Sequence, residues 1–232
     1  MKTVSIISQK GGSGKTTLAL NLLVAAYQQG ISAVLVDIDP HANAWKIYER
    51  RESEEPVVIS AVPARLREIK AEAEKLGADL LIIDTAAASE SPALEAARIA
   101  DLVLVPCRSS ILDLDAISFS FDLASLAKTD AVAVINACPP VGALGEEAAE
   151  AISSLGLEGS CDCAPIRIAH RADFYHSLSN SQGVCEYNPA GKAAEEIKEF
   201  FAWMCMRVGM YTGMDSEENQ TVSEIENDAV TL

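Results

Sequence analysis

Long apolar runs are missing from this chain of 232 residues. No stretch approaches the roughly 18 apolar residues that a membrane-spanning helix needs, which excludes a helical span. A secretory leader is not expected either, because Lys2 precedes only a short apolar run and a glycine-rich loop starts at Gln9. The chain is therefore expected to work in the cytoplasm. Basic residues are scarce, 18 against 34 acids, and the resulting charge of −16 disfavours general attraction to nucleic acid or anionic lipid. Part of that charge is local. Residues 214–232 hold Asp215, Glu217, Glu218, Glu224, Glu226 and Asp228 and no base. Such a segment, poor in aromatics, is expected to be a disordered, solvating tail over 211–232, with partner binding as the other reading. Paired cysteines at ordinary zinc spacing are lacking as well. Cys161-Asp-Cys163 leaves one residue between the thiols where zinc sites leave about two to four, so despite His170 and His176 downstream the six cysteines read as reduced, buried or incidental thiols.

What is present is an apolar content of 49%, enough for one sizeable core. A single α/β domain over 1–210 fits the length. Its organising stretch is Gln9-Lys10-Gly11-Gly12-Ser13-Gly14-Lys15-Thr16-Thr17, which follows a strand pattern over 3–8 and precedes a helical pattern over 18–28. The spacing from Gly11 to Thr16 is that of a phosphate loop set between strand and helix. Glycines let the backbone curl with its N–H groups inward, and the helix beginning near Lys15 adds its positive dipole end to the same concavity. Lys15 is placed to reach the β and γ phosphates of a nucleotide, and the Thr16 hydroxyl to help hold Mg²⁺.

Continuous apolar runs at 33–36, 79–85, 102–106 and 131–136 read as strands buried on both faces of a mostly parallel, doubly wound sheet with helices on both sides. A short edge strand is expected at 57–59 and a last strand at 164–168, with helices over 41–48, 64–76, 94–99, 116–127 and 146–155. Two of the buried runs end in carboxylates. Asp37 and Asp39 close the first and Asp84 the second, and side chains at the carboxyl ends of such strands face the ligand crevice. Beside a phosphate loop they suggest Mg²⁺ and water, with Asp84 in the Walker B position. Asp39 has a second reading, as the N-cap of the helix over 41–48. Asn136 also has two, a turn residue at a strand end or an amide reading the adenine edge.

Lys10 is not needed by an ordinary phosphate loop. With it the motif becomes Lys-Gly-Gly-x-Gly-Lys-Thr-Thr, which resembles the deviant Walker A loop of the ParA/MinD superfamily of ATPases. The resemblance extends over about residues 1–208: Asp37-Ile38-Asp39-Pro40, the strand ending at Asp84-Thr85, the segment Ser109 to Asp115, the late Arg171 to Phe174 stretch and the Asn188-Pro189 start of a final helix. It implies a P-loop NTPase fold and slow hydrolysis of ATP to ADP and phosphate. It also implies an ATP-dependent homodimer in which each Lys10 crosses to the other subunit's nucleotide. Asp39 would then polarise the attacking water, Asp37 and Asp84 would support Mg²⁺ beside Thr16, and Asn136 would read adenine, while the loop residues Gly11 to Thr17 hold the phosphates.

The family's task is to partition or position plasmid, chromosome or protein cargo with a stimulating, ParB-like partner, commonly on nonspecific DNA. Such a protein would be cytoplasmic and nucleoid-associated, and the bases toward the C-terminal part that could meet DNA are Arg167, Arg171, Lys192, Lys198 and Arg207. Two other members of the superfamily set alternatives: a MinD-like membrane-surface ATPase and an iron–sulfur carrier or reductase. The first needs a terminal amphipathic helix with a basic face, whereas the stripe Ile197, Phe200, Phe201, Met204 and Val208 reads better as core. The second needs paired cysteines. The chain departs from the family at His41, where glutamine is usual, and at Ala86-Ala87-Ala88, where prolines or a glycine usually follow Asp-Thr.

Overall fold

Seven strands form one parallel sheet in the order β3-β2-β4-β1-β5-β6-β7. They are β1 Lys2–Ile6, β2 Ala33–Asp37, β3 Val57–Ser60, β4 Leu80–Asp84, β5 Leu102–Cys107, β6 Ala131–Ile135 and β7 Asp162–Cys163. The architecture comes from a computed structural model that describes residues 1–87, 89–110, 117–154 and 162–210. Expectations for Ala88, for 111–116, for Cys161 and for the acidic tail lie outside the described residues. Helices follow the strands: α1 Lys15–Gln28, α2 Asn43–Tyr48, α3 Leu66–Lys75, α4 Glu90–Ile99, α5 Ile117–Ala127, α6 Leu144–Ser153, α7 Ala172–Ser179, α8 Val184–Tyr187 and α9 Lys192–Val208.

Apolar side chains of period two divide the core between the two faces of the sheet. Leu80, Ile82, Leu102 and Leu104 pack with α1 and α9 on one face. Their neighbours Leu81 and Ile83 meet α3 and α4 on the other, and Val103 and Val105 meet α4 and α5. Helix α1 lies deep, with Leu18, Leu20, Leu22 and Leu23 all buried, because the strand carrying the loop is central and its helix crosses the middle of the sheet. The stripe from Ile197 to Val208 on α9 is buried in that same core, so it is not free to lie on a membrane. Among the described residues no helix is long and apolar enough to cross one.

Three elements differ from the sequence expectation. The last strand is Asp162–Cys163, and 164–168 only shadows the edge of β6 through single hydrogen bonds from Ala164 N to Ala133 O and from Ile168 N to Ile135 O. Pro165 has no N–H to donate, which interrupts the ladder there. Helix α3 ends at Lys75, one residue short of the expected end, leaving Leu76 80% exposed while Ala73 is buried. Helix α2 starts at Asn43 because Ala42 takes a left-handed conformation with φ 47°.

A polar tie joins the start of this chain to its C-terminal third. Asn21 of α1 accepts a hydrogen bond from Val184 N at 2.8 Å and donates to Thr17 O at 2.7 Å. Arg51, just past α2, grips Glu186 of α8 with both terminal nitrogens at 2.9 and 2.8 Å and also donates to Ser181 O. Replacing the fully buried Phe201 with alanine should lower unfolding free energy by about 3–5 kcal/mol, because α9 would leave a cavity against the sheet. Urea denaturation checks this, and a loss below about 1 kcal/mol would mean that α9 is not part of the cooperative core.

Candidate functional site

The carboxyl ends of β1, β2, β4, β5 and β6 share one edge of the sheet, and every expected site residue lies along it. Between β1 and α1 the loop turns through Gly12 at φ 76° and Gly14 at φ 93°, conformations that favour glycine. A Cβ at Gly14 would also collide with the amide of Asn136. That amide donates to Ser13 O at 2.7 Å, while its own oxygen accepts from Ala137 N at 3.0 Å. Asn136 thus braces the phosphate loop from β6, a role the sequence did not announce beside the adenine and turn readings.

Lys15 opens α1 and is buried, with Nζ donating to the loop carbonyls of Ser8 at 3.1 Å and Lys10 at 3.5 Å. Burial lowers its pKa, and the carboxylates of Asp84 and Asp39 work in the opposite direction. The first turn of α1 carries no acidic side chain, so its positive end is left for an anion. Ser13 Oγ is buried without a hydrogen-bond partner in the same loop. Gly11 and Gly12 stay exposed, Lys10 is half-buried, and Thr17 faces the adjoining cleft.

Opposite the loop stand the three carboxylates. Thr16 Oγ1 donates to Asp84 Oδ2 at 2.6 Å, and Asp84 Oδ1 is buried without a partner. Burial pushes Asp84 up to about 7; the Thr16 hydrogen bond and Lys15 pull down, and Asp37 and Asp39 push further up. Asp37 pairs in register with Asp84, but both its oxygens are occupied by backbone. Oδ1 accepts from Asp39 N at 3.0 Å, and Oδ2 from Ala44 N at 2.8 Å and Trp45 N at 3.3 Å. It is Asp37, then, and not Asp39, that caps α2. Desolvation raises its pKa, while these backbone hydrogen bonds favour the charged form. Asp39 is less buried and accepts from His41 N at 2.9 Å, which fixes the Asp-x-Asp turn.

An Mg²⁺ ion would suit this donor set, since Thr16 Oγ1 and the unpartnered Asp84 oxygen are hard donors that would hold it beside the loop. Among the described residues no group of three or more His, Cys, Asp or Glu side chains could hold a metal by itself.

Beyond the loop a cleft of about 560 Å³ continues toward Asn136, Ala137, His170, Phe174, Tyr175 and Leu178. Its flat aromatic and apolar lining and polar loop end suit a nucleoside attached to phosphates. Arg50 and Arg108 also line it and were not singled out from the sequence. The available signal for Arg108 was its place one residue past a strand neighbouring β1. The bases considered for DNA are mostly matched: Arg167 pairs with Glu146 at 3.0 Å, Arg171 with Glu196, and Arg207 with Asp130 at 3.0 Å and Asp162 at 3.1 Å. Lys198 donates to Pro189 O.

A parallel sheet with a glycine-rich loop on its central strand, and Thr16 bonded to a strand-end carboxylate, defines a nucleotide-binding α/β protein of the P-loop class. The chain belongs to the CobQ/CobB/MinD/ParA nucleotide binding domain family, whose model matches residues 4–204. It is 33% identical over 131 residues to the chromosome partitioning protein ParA of Caulobacter vibrioides, covering 48% of this chain and 49% of that protein. To protein ParA of Rhizobium radiobacter it is 29% identical over 119 residues, covering 49% and 51%. The chain thus spans about half the length of these two curated relatives, and another, from Methanocaldococcus jannaschii, matches over 43 residues and 17% of its length. The fold is that of the Pyrococcus furiosus cell division ATPase MinD, with a TM-score of 0.70 at 20% identity over 88% of this chain and 98% of that one. The ATP complex of a Cyanothece McdA variant gives 0.69 at 17% identity over 91% and 97%.

The raised pKa of Asp84 has a measurable consequence. Between its ordinary 3.8 and about 7 the folded chain binds this proton more tightly than the unfolded chain, so stability should fall as pH rises through that window. Thermal unfolding of the metal-free protein from about pH 4 to 8 should show the decline, and Asp84→Asn should flatten it. Parallel curves for the two proteins would refute the assignment.

Proposed function

We propose that this chain is a ParA-like ATPase that binds Mg·ATP on the loop over 9–17, closes into an ATP-dependent dimer and hydrolyses ATP slowly to position cargo. The observation that carries the reading is the pairing of two lysines, Lys10 and Lys15, in one loop whose Thr16 is hydrogen-bonded to Asp84. Family membership and the ATP bound in the McdA neighbour support it.

Each residue then has a task set by its place. Backbone N–H groups of Gly11 to Thr17 and the end of α1 cradle the phosphates. Lys15 leaves its two loop carbonyls for the β and γ oxygens, which is an exchange of one set of acceptors for a charged one. Thr16 and Asp84 hold Mg²⁺, which when bound neutralises charge on the β and γ phosphates. Asp37, through its grip on Ala44 and Trp45, fixes the turn that aims Asp39 at the attacking water. Asn136 holds the loop and stands at the mouth of the base cleft, where its amide would read adenine after exchanging one of its two present hydrogen bonds. Lys10 crosses to the second subunit's nucleotide. Because phosphoryl transfer is catalysed mainly by positioning and charge, a single subunit lacking that lysine is slow, and nucleotide state becomes a timer. A ParB-like partner that stimulates turnover would set its length.

Lys15→Gln should weaken ATP binding roughly 10- to 100-fold by removing a charge-assisted contact, read by calorimetry. Lys10→Ala should leave nucleotide affinity of the monomer unchanged and abolish the ATP-dependent increase in mass seen by light scattering. A Lys10→Ala protein that dimerises normally would sink the cross-subunit role.

Cargo carriage on DNA has to use bases other than Arg167, Arg171 and Arg207, or a dimer in which their carboxylate partners are released. Retention on DNA–cellulose should then require ATP and disappear between about 50 and 200 mM salt. Equal retention with ADP would remove DNA from the reading.

A further inference from the structure

Arg108 follows β5 directly, and β5 lies in the sheet between β1, which leads into the loop over 9–17, and β6, which leads into Asn136. Its Nη2 is 3.8 Å from the point where a Cβ on Gly12 would sit. The guanidinium thus lies at van der Waals distance from the Gly12 position of the loop, and Gly12 itself holds φ 76°. Arg108 lines the same cleft as Gly12, Ser13, Gly14, Thr17 and Asn136. Among the described residues, no hydrogen bond or ion pair engages its guanidinium, in contrast to Arg171, which is held by Glu196.

The charges around the loop are unevenly placed. Asp37, Asp39 and Asp84 crowd the β2 and β4 side, where Thr16 points, while the β5 and β6 side holds no carboxylate among the residues lining the cleft. A di- or triphosphate lying along the loop toward the base cleft would pass beneath Arg108. Guanidinium presents a planar fork of donors that matches phosphate oxygens in pairs.

We propose that Arg108 is a second phosphate-binding cation of this site, contacting in the same subunit the α and β phosphates of a nucleoside di- or triphosphate held by the loop over 9–17. The proposal rests on the reading of that loop as a nucleotide site. It differs from the roles of Lys10 and Lys15, because the contact comes from β5 and on the side away from Thr16 and Asp84. Such a contact is made to ADP as well as ATP, needs no second subunit, and is weaker with AMP, which keeps the α phosphate but has no β phosphate.

Calorimetric titration of the full chain with ATP, ADP and AMP, at protein concentrations where ADP leaves it monomeric, tests this. Arg108→Ala should weaken ATP and ADP about tenfold each and AMP by a clearly smaller factor, and Arg108→Lys should recover part of the loss. The apo melting temperature should not move, since Arg108 is exposed. ADP affinity within about twofold of the unmodified chain would overturn the proposal, provided that Lys15→Gln has lost binding. So would an equal loss for AMP, or a loss confined to ATP at concentrations where two subunits associate. If Lys15→Gln binds like the unmodified chain, the nucleotide reading of the loop itself fails.

Discussion

A hydrogen bond of 2.6 Å from Thr16 to Asp84 joins the first turn of α1 to the end of β4 across the sheet edge. It holds a carboxylate that burial strongly disfavours, and it compensates only one of the two oxygens. The rest of the edge is arranged around that incomplete compensation. Lys15 lies close enough to lower the pKa of Asp84, yet its ammonium rests on the carbonyls of Ser8 and Lys10. A buried acid with an open oxygen and a buried cation held only by neutral carbonyls is an arrangement that a hard cation and an anion would each stabilise.

The second constraint is mechanical. Asp37 commits both oxygens to backbone, fixing the start of α2, and α2 leads directly to Arg51 and its paired contact with Glu186 on α8. Helix α7, immediately before, supplies Phe174, Tyr175 and Leu178 to the base cleft. The turn around Asp39 and the aromatic end of the cleft are thus linked through a largely buried ion pair. Breaking either partner would leave a desolvated charge, so the two ends of the site are expected to move together rather than apart.

The nucleotide-binding core was legible because its determinants are local. Glycine spacing, a lysine at each end of the loop, and apolar runs closed by Asp37 and Asp84 are properties of short segments, and the sheet put those segments side by side as expected. Family membership follows the same motifs. Helix ends and edges were less legible: Leu76 continues the apolar pattern of α3 but falls at its C-cap, and Pro165 interrupts what reads as a strand. Gly77, at φ 84°, ends the helix right after Leu76, and Pro165 lacks the N–H that would continue the ladder, so hydropathy alone overran both elements.

By itself the sequence determined the parallel α/β order, the phosphate loop and the identity of the acids and lysines around it, since each depends on residue type at close spacing. Tertiary structure decided which groups those residues face. It gave the capping of α2 to Asp37 rather than Asp39, turned Asn136 onto the loop, matched Arg167, Arg171 and Arg207 with carboxylates, and brought Arg108 over Gly12. These partners lie far apart in the chain, and only the stacking of strand ends along one edge sets the distances on which hydrogen bonds and charge pairs depend.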